Sequence, residues 1–331
     1  MSYEAVHVAV GVVSNAAKRV LLALRPSDVH QGGLWEFPGG KVRSDEDVRS
    51  ALHRELAEEV GVIVDQARPL IKIRHEYPEQ SVTLDVWCVD AWHGEVIGRE
   101  GQRVEWVARN ELCKRTFPLA NLPIITAVKL PSLYLISPEP GADWDDFLGR
   151  IDVCLCAGVR LFQLRSKRLL AKRYRTLARE VRRVCKAHGA VLLLNASPTD
   201  AVVCGADGVH LSSARLLQLN ERPLGRDHWV AASCHHLKEI EHAGRIGVDF
   251  ITVSPVYETS SHPDARPLGW EGFRKLADRT GMAVYALGGM QPAHIETAWR
   301  AGAQGLGMVS AIWDAPDPSR RICECLSDTN A

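Results

Sequence analysis

From Leu133 onward the chain repeats one pattern eight times, a short apolar run followed by an amphipathic stretch. The runs are Leu133-Tyr134-Leu135-Ile136, Arg160 to Leu164, Val191 to Leu194, Gly208-Val209-His210, Trp229 to Ala232, Phe250 to Val253, Ala283 to Leu287 and Gly305 to Met308. Strand-like runs that alternate with helical stretches of this length predict βαβ units. Eight units in series predict a closed parallel (β/α)8 barrel, whose chemistry sits at the carboxyl ends of its strands.

The first ~130 residues lack that repeat and are the size of a separate domain. Val6 to Val10 and Arg19 to Leu24 read as strands around a turn at Asn15, and Ser81 to Val89 alternates like another strand. Lys129-Leu130-Pro131-Ser132 makes a break, because Pro131 does not continue a helix. The expected organisation is an α/β domain over 1–130, the barrel over 131–315, and a closing helix with a frayed end over 316–331.

Between these strands lies the densest chemistry of the chain. Gly40 is followed after five residues by Glu46 and, after seven more, by Arg54-Glu55-Leu56-Ala57-Glu58-Glu59-Val60-Gly61-Val62. Asp45 and Glu46 put negative charge where a helix starts, and Asp47 to Val60 contains neither Pro nor Gly. Val48, Leu52 and Leu56 form one apolar stripe. Glu55, Glu58 and Glu59 converge on a neighbouring face, Arg54 can orient Glu58, and Gly61 ends the helix. Carboxylates so placed repel one another unless a cation lies between them. Hard oxygen donors suit Mg2+, which also takes substrate phosphates; Mn2+ is the alternative ion.

Composition excludes little. The 331 residues carry 40 basic and 40 acidic side chains, so no global charge argues for nucleic-acid or membrane binding. No signal peptide opens the chain, and no apolar run reaches the ~18 residues that span a bilayer. The nine cysteines contain no Cys-x-x-Cys pair and read as reduced thiols of a cytoplasmic protein.

The glycine–glutamate–arginine pattern is matched at every position of the Nudix box. Its flanks resemble the MutT branch of Nudix hydrolases, which convert oxidised purine nucleoside triphosphates, chiefly 8-oxo-dGTP, to the monophosphate and pyrophosphate. The carrying segments are Arg25 to His30, Trp35 to Lys41, Glu100-Gly101-Gln102 and Phe117 to Asn121. The resemblance implies an α/β/α sandwich with a mixed sheet. It implies metal binding by the Gly39 carbonyl, Glu55, Glu58, Glu59 and Glu100, with Glu55 or Glu100 helping to deprotonate the attacking water and Arg54 beside them. Arg25, His30, the Phe37 backbone and Asn121 would line the nucleotide pocket. The chain departs from the branch at Gln80, where an Arg usually lies over the base.

The barrel resembles thiamine-phosphate synthase and its thiazole-tautomerase relatives. The carrying segments are Phe162 to Lys167, Gly205 to Leu211, Ser233-Cys234-His235, Ser254 to Thr259, Leu287 to Met290 and Gly307 to Ser310. The resemblance implies a phosphorylated small molecule bound by Gln163, Arg165, Lys167, Asn195, His235, Gly288, Gly289, Val309 and Ser310. The synthase's two Mg2+ carboxylates are missing: Ala196 follows Asn195, and Ser212-Ser213-Ala214-Arg215 holds the second position. His262 replaces a lysine of the pyrophosphate loop, and no tautomerase histidine lies near Pro255. The expected protein is a nucleoside triphosphate diphosphatase with a ligand-binding barrel that is not a synthase. The alternative is a thiamine-metabolism protein whose Nudix half hydrolyses a thiamine-related diphosphate.

Overall fold

The computed structural model describes residues 6–28, 31–78, 80–259 and 265–326. The chain divides into two compact units that meet in sequence at Leu130 and Pro131.

The first unit comprises β1 (Val6–Val13), β2 (Arg19–Leu24), β3 (Trp35–Glu36), β4 (Gly39–Lys41), α1 (Val48–Val60), β5 (Ile63–Glu76), β6 (Ser81–His93), β7 (Val104–Ala108) and α2 (Leu122–Lys129). One sheet has the order β4-β1-β6-β5 and the other β3-β2-β7. β1 runs parallel to β6 and antiparallel to β4, so the first sheet is mixed. Leu52 and Leu56 of α1 are fully buried among Ala9, Val13, Leu21, Val62 and Val89, with Val48 half-buried at the edge. Burial of each leucine contributes about 1.5–3 kcal/mol. A Cβ on Gly11 would meet Leu56 Cδ1 at 2.8 Å, so the bare backbone of β1 lets α1 settle against it.

The helix begins later than the charge pattern suggests. Asp47 is its N-cap, accepting from Ser50 N–H at 2.8 Å, and the first turn holds no acidic residue. A short Asp side chain reaches the free amides of the first turn and starts the helix there. Glu46 remains outside, where it accepts from Arg43 N–H at 2.9 Å. Gly61 ends the helix at φ 72°.

The second unit starts with β8 (Leu133–Ile136), α3 (Trp144–Cys156), β9 (Leu161–Leu164), α4 (Ala171–Ala187), β10 (Val191–Leu194), α5 (Pro198–Val203), β11 (Gly208–Leu211) and α6 (Ser213–Leu216). It continues with β12 (Trp229–Cys234), α7 (Leu237–Ile246), β13 (Phe250–Val253), α8 (Gly269–Ala277), β14 (Ala283–Ala286), α9 (Ile295–Arg300), β15 (Gly305–Met308), α10 (Ser310–Trp313) and α11 (Pro318–Leu326). Strands β8 to β15 close into one parallel barrel. Tyr134, Phe250 and Tyr285 fill its interior with ring centroids 5.4–5.5 Å apart. Ile322 and Cys325 of α11 are buried in the core, which ties this last helix down. Among the described residues no helix is long and apolar enough to cross a membrane.

Candidate functional sites

The acidic site lies where β4, α1 and the turn before β7 meet. Gly39 allows it: a Cβ there would fall 2.1 Å from Ala9 O, and its N–H donates to Glu59 Oε2 at 2.8 Å. Gly40 is equally constrained, since a Cβ would lie 2.2 Å from the Glu55 carboxyl. The Glu55 carboxylate thus sits directly on glycine backbone. Arg54 donates to Glu46 through Nε (3.1 Å) and Nη2, to Glu55 Oε1 at 2.6 Å and to Glu58 Oε2 at 3.2 Å. Its Nη2 also donates to Lys41 O at 3.1 Å, tying α1 to the strand. The Arg54 guanidinium holds Glu46 down at about 2, helped by Arg43 N–H.

Glu59 has a different environment. Burial pushes its carboxyl up to about 7; the carboxylates of Glu36 and Glu100 add to the rise, and Gly39 N–H opposes it. Gln102 Nε2 donates to Glu59 O at 3.1 Å, while Gln102 Oε1 accepts from Glu100 N–H at 3.0 Å. One amide therefore links the Glu100 turn to the end of α1. Glu58 and Glu100 are exposed. Among the described residues, no three carboxylate oxygens of this set lie within 4.8 Å of one another.

Arg25, just past β2, pairs with Glu36, whose carboxyl burial raises despite that guanidinium. The buried Phe37 ring stacks on Phe117 at 5.8 Å. Asn121 stands at the N-cap of α2, yet its side chain makes no capping bond and is 8 % exposed. Its amide stays available to a ligand, which removes the simple turn explanation for an Asn there. Trp35 packs against the Arg103 and Arg115 guanidiniums, 5.5 and 5.6 Å from its ring centroid. Gln80 is exposed in the β5–β6 turn. His30 lies outside the described residues, as does His262.

The barrel mouth holds a buried polar chain. Arg215 Nη1 donates to Asn195 Oδ1 at 3.1 Å, and Asn195 Nδ2 donates to Gln163 Oε1 at 3.2 Å. Gln163 Nε2 donates to Tyr134 Oη at 2.7 Å. Tyr134 Oη lies 3.0 Å from His210 Nδ1, and His210 Nε2 lies 2.8 Å from Ser233 Oγ. An arginine can only donate, which orients the Asn195 and Gln163 amides and makes Tyr134 Oη an acceptor from Gln163. In the Nε2–H tautomer of His210, Nδ1 accepts from Tyr134 O–H and Nε2–H donates to Ser233 Oγ. Burial agrees, holding His210 down at about 3, with Arg165 adding to the shift.

The other expected barrel residues are less concentrated. Arg165 is half-buried, just beyond β9; Lys167 is exposed, with its N–H donating to Glu139 at 2.8 Å. His235 Nδ1 is 2.8 Å from Ser254 O. Gly288 and Gly289 have φ 96° and 67°, and a Cβ on either would fall 2.7 Å from Pro255 Cβ or Tyr257 Cβ. These glycines let the β14 loop pack on the β13 loop. Val309 accepts from Trp313 N–H at 2.9 Å, and Ser310 opens α10.

A family model for the NUDIX domain matches residues 9–127, and one for thiamine monophosphate synthase matches 133–312. The 8-oxo-dGTP diphosphatase of Escherichia coli is 38 % identical over 122 residues, 37 % of this chain and 95 % of that protein. Thiamine-phosphate synthase of Thermus thermophilus is 34 % identical over 193 residues, 58 % of this chain and 93 % of the relative. The chain belongs to both families. The barrel also shares its fold with a thiamine phosphate pyrophosphorylase from Pyrococcus furiosus, at TM-score 0.50 and 22 % identity, over 59 % of this chain and 94 % of that one.

The Nudix domain is that of a hydrolase acting on phosphoric anhydrides, a family that uses divalent metals. Its donor set fits such an ion. The oxygens are hard, Gly40 leaves room for the Glu55 carboxylate, and half-buried Glu59 is pushed toward protonation, which a cation there would oppose. The thiamine-phosphate-synthase-type barrel does not fit a metal at its mouth. Ala196 offers no ligand, Arg215 brings a positive charge, and Glu139 is occupied by Ser166 O–H and the Lys167 and Arg168 N–H groups.

Sequence reasoning missed Glu36, which sits beside Glu59, and the Tyr134–His210–Ser233 part of the polar chain. A polar side chain inside an apolar barrel run was the available signal. Among the described residues, Asp152, Cys156 and His188 do bring three ligand atoms within 4.8 Å, on an exposed face of α3 and the end of α4.

Proposed function

We propose that the Nudix domain hydrolyses oxidised purine nucleoside triphosphates, 8-oxo-dGTP foremost, to the monophosphate and pyrophosphate with Mg2+. We further propose that the barrel binds a phosphorylated small molecule without synthase activity. The observation that carries the first reading is the Glu55–Glu58–Glu59–Glu100 set, with Glu55 and Glu58 held by Arg54 and the Glu100 turn linked to Glu59 by Gln102. A divalent cation there supplies phosphate neutralisation and a more acidic water.

The residues supply the rest. Arg54 offsets the repulsion between Glu55 and Glu58 by donating to one oxygen of each. Glu55 or Glu100 takes the proton of the attacking water. Water oxygen bonds to the β-phosphorus, the bridge to the α-phosphate breaks, and the proton remains on the carboxylate until release. The Asn121 amide can donate and accept at once, which suits a guanine edge. Positioning and charge stabilisation account for most of such a rate enhancement.

Product release with Mg2+ tests this reading: pyrophosphate from 8-oxo-dGTP, 8-oxo-GTP and dGTP, and orthophosphate from thiamine diphosphate. Preference for the oxidised guanine nucleotides is the expected result. Turnover of thiamine diphosphate alone would replace it with the thiamine-linked reading that the barrel's family favours.

A further inference from the structure

The barrel mouth carries positive charge that nothing in its surroundings balances. The Arg215 side chain is half-buried, and among the described residues its one partner is the neutral Asn195 Oδ1, at 3.1 Å. Arg165 is also half-buried, and no described carboxylate pairs with its guanidinium. Both face the same polar chain: Arg215 anchors it, and Arg165 acts on His210 within it. The nearby carboxylates do not answer this charge. Glu139 accepts three bonds from the 166–168 turn, and Glu258 is exposed to solvent.

A half-buried guanidinium has five N–H donors, and a single amide oxygen leaves most of them unused. Arginine cannot discharge by losing its proton, unlike lysine or histidine. An anion is the ligand that suits such a group. The planar fork matches two oxygens of a phosphate, giving strong, charge-assisted bonds. Its bond to Asn195 Oδ1 ties Arg215 to the polar chain.

We propose that Arg215 is a built-in cation of the barrel mouth, which with Arg165 binds a phosphate monoester anion without any metal ion. This rests on the reading that the barrel takes a phosphorylated ligand. It adds which residue neutralises the phosphate and why two carboxylates are dispensable there. A fixed guanidinium cannot travel with a leaving group, so the site suits capture of a monoester rather than expulsion of a diphosphate.

The test is equilibrium dialysis of the full chain against radiolabelled inorganic phosphate at low salt, in EDTA and in Mg2+. The protein carries Glu55→Gln in both arms to suppress phosphate binding at the Nudix site. The expected affinity is the same in both arms. Arg215→Met should weaken it about tenfold or more, the scale of one charge-assisted hydrogen bond. Asn195→Asp, nearly isosteric, should weaken it comparably by pairing with Arg215. Far-UV circular dichroism and thermal melts establish that both variants fold. Binding that disappears in EDTA, or survives Arg215→Met unchanged, overturns the built-in cation while leaving a phosphate site. Absence of binding in both arms overturns the phosphate-ligand reading itself.

Discussion

The two ends of this chain solve the problem of holding phosphate with opposite charges. In the Nudix domain carboxylates are crowded together: Arg54 serves three of them, and Glu59 stays half-buried beside Glu36 and Glu100. In the barrel mouth two guanidiniums stand over a neutral chain of amides, a phenol and an imidazole. A surplus of buried charge identifies its missing partner by sign. The first site calls for a cation before it can accept an anion; the second can accept the anion directly. A chelator should therefore silence one and spare the other.

The largest effect expected is on the carboxylates. Glu55→Gln keeps the volume and removes the charge, and hydrolysis should fall about a thousandfold, a barrier change of about 4 kcal/mol. Fold and barrel phosphate binding should be unaffected. Steady-state pyrophosphate release measures this, and turnover near that of the unmodified chain would remove Glu55 from the site. Arg54→Met tests positioning rather than contact with substrate. It should lower kcat by about tenfold to a hundredfold with KM little changed, since misplaced groups cost rate more than affinity. Arg54→Lys should restore little, because one ammonium cannot serve Glu46, Glu55 and Glu58 together.

A smaller effect falls on selectivity. Asn121→Ala should cost about tenfold in kcat/KM for 8-oxo-dGTP, the scale of one hydrogen bond, with little change in kcat. An equal loss for every nucleoside triphosphate would show that Asn121 acts on the shape of the pocket and not on the base.

The barrel was legible because its strands, covered on both faces, read as unbroken apolar runs. The Nudix site was legible because its residues are close in sequence and its helix fixes their spacing. β5 was not: register shifts at Val64/Gln66, Gln66/Ala67 and Pro69/Ile71 break the alternation that would have announced it. The helix start was misplaced because Asp45, Glu46 and Asp47 all suit such a position, and only the geometry shows that Asp47 caps while Glu46 pairs with Arg54. The polar chain was hidden for a different reason. Its members come from β8, β9, β11, β12, α6 and the loop after β10, so no local spacing records that they meet.

That chain gives the smallest effect on turnover and the finest contrast with the Nudix site, where Glu59 is pushed toward protonation. His210 is pushed the other way, down to about 3, chiefly by burial. Between that value and the usual histidine range the unfolded chain binds the extra proton and the folded chain does not. Stability from neutral His210 is therefore complete above the usual range and falls as pH drops from about 6.5 toward 3, by up to about 1.4 kcal/mol per pH unit. Imidazole NMR should show His210 as the neutral Nε2–H tautomer with no titration between pH 8 and pH 5; its signal is identified by its loss in His210→Gln. That variant should also flatten the acid limb of barrel stability by one proton. An imidazole that titrates near 6.5 would mean that Tyr134 does not donate to Nδ1. Arg215 would still donate to Asn195, so only the Tyr134–His210–Ser233 end of the chain would have to be redrawn.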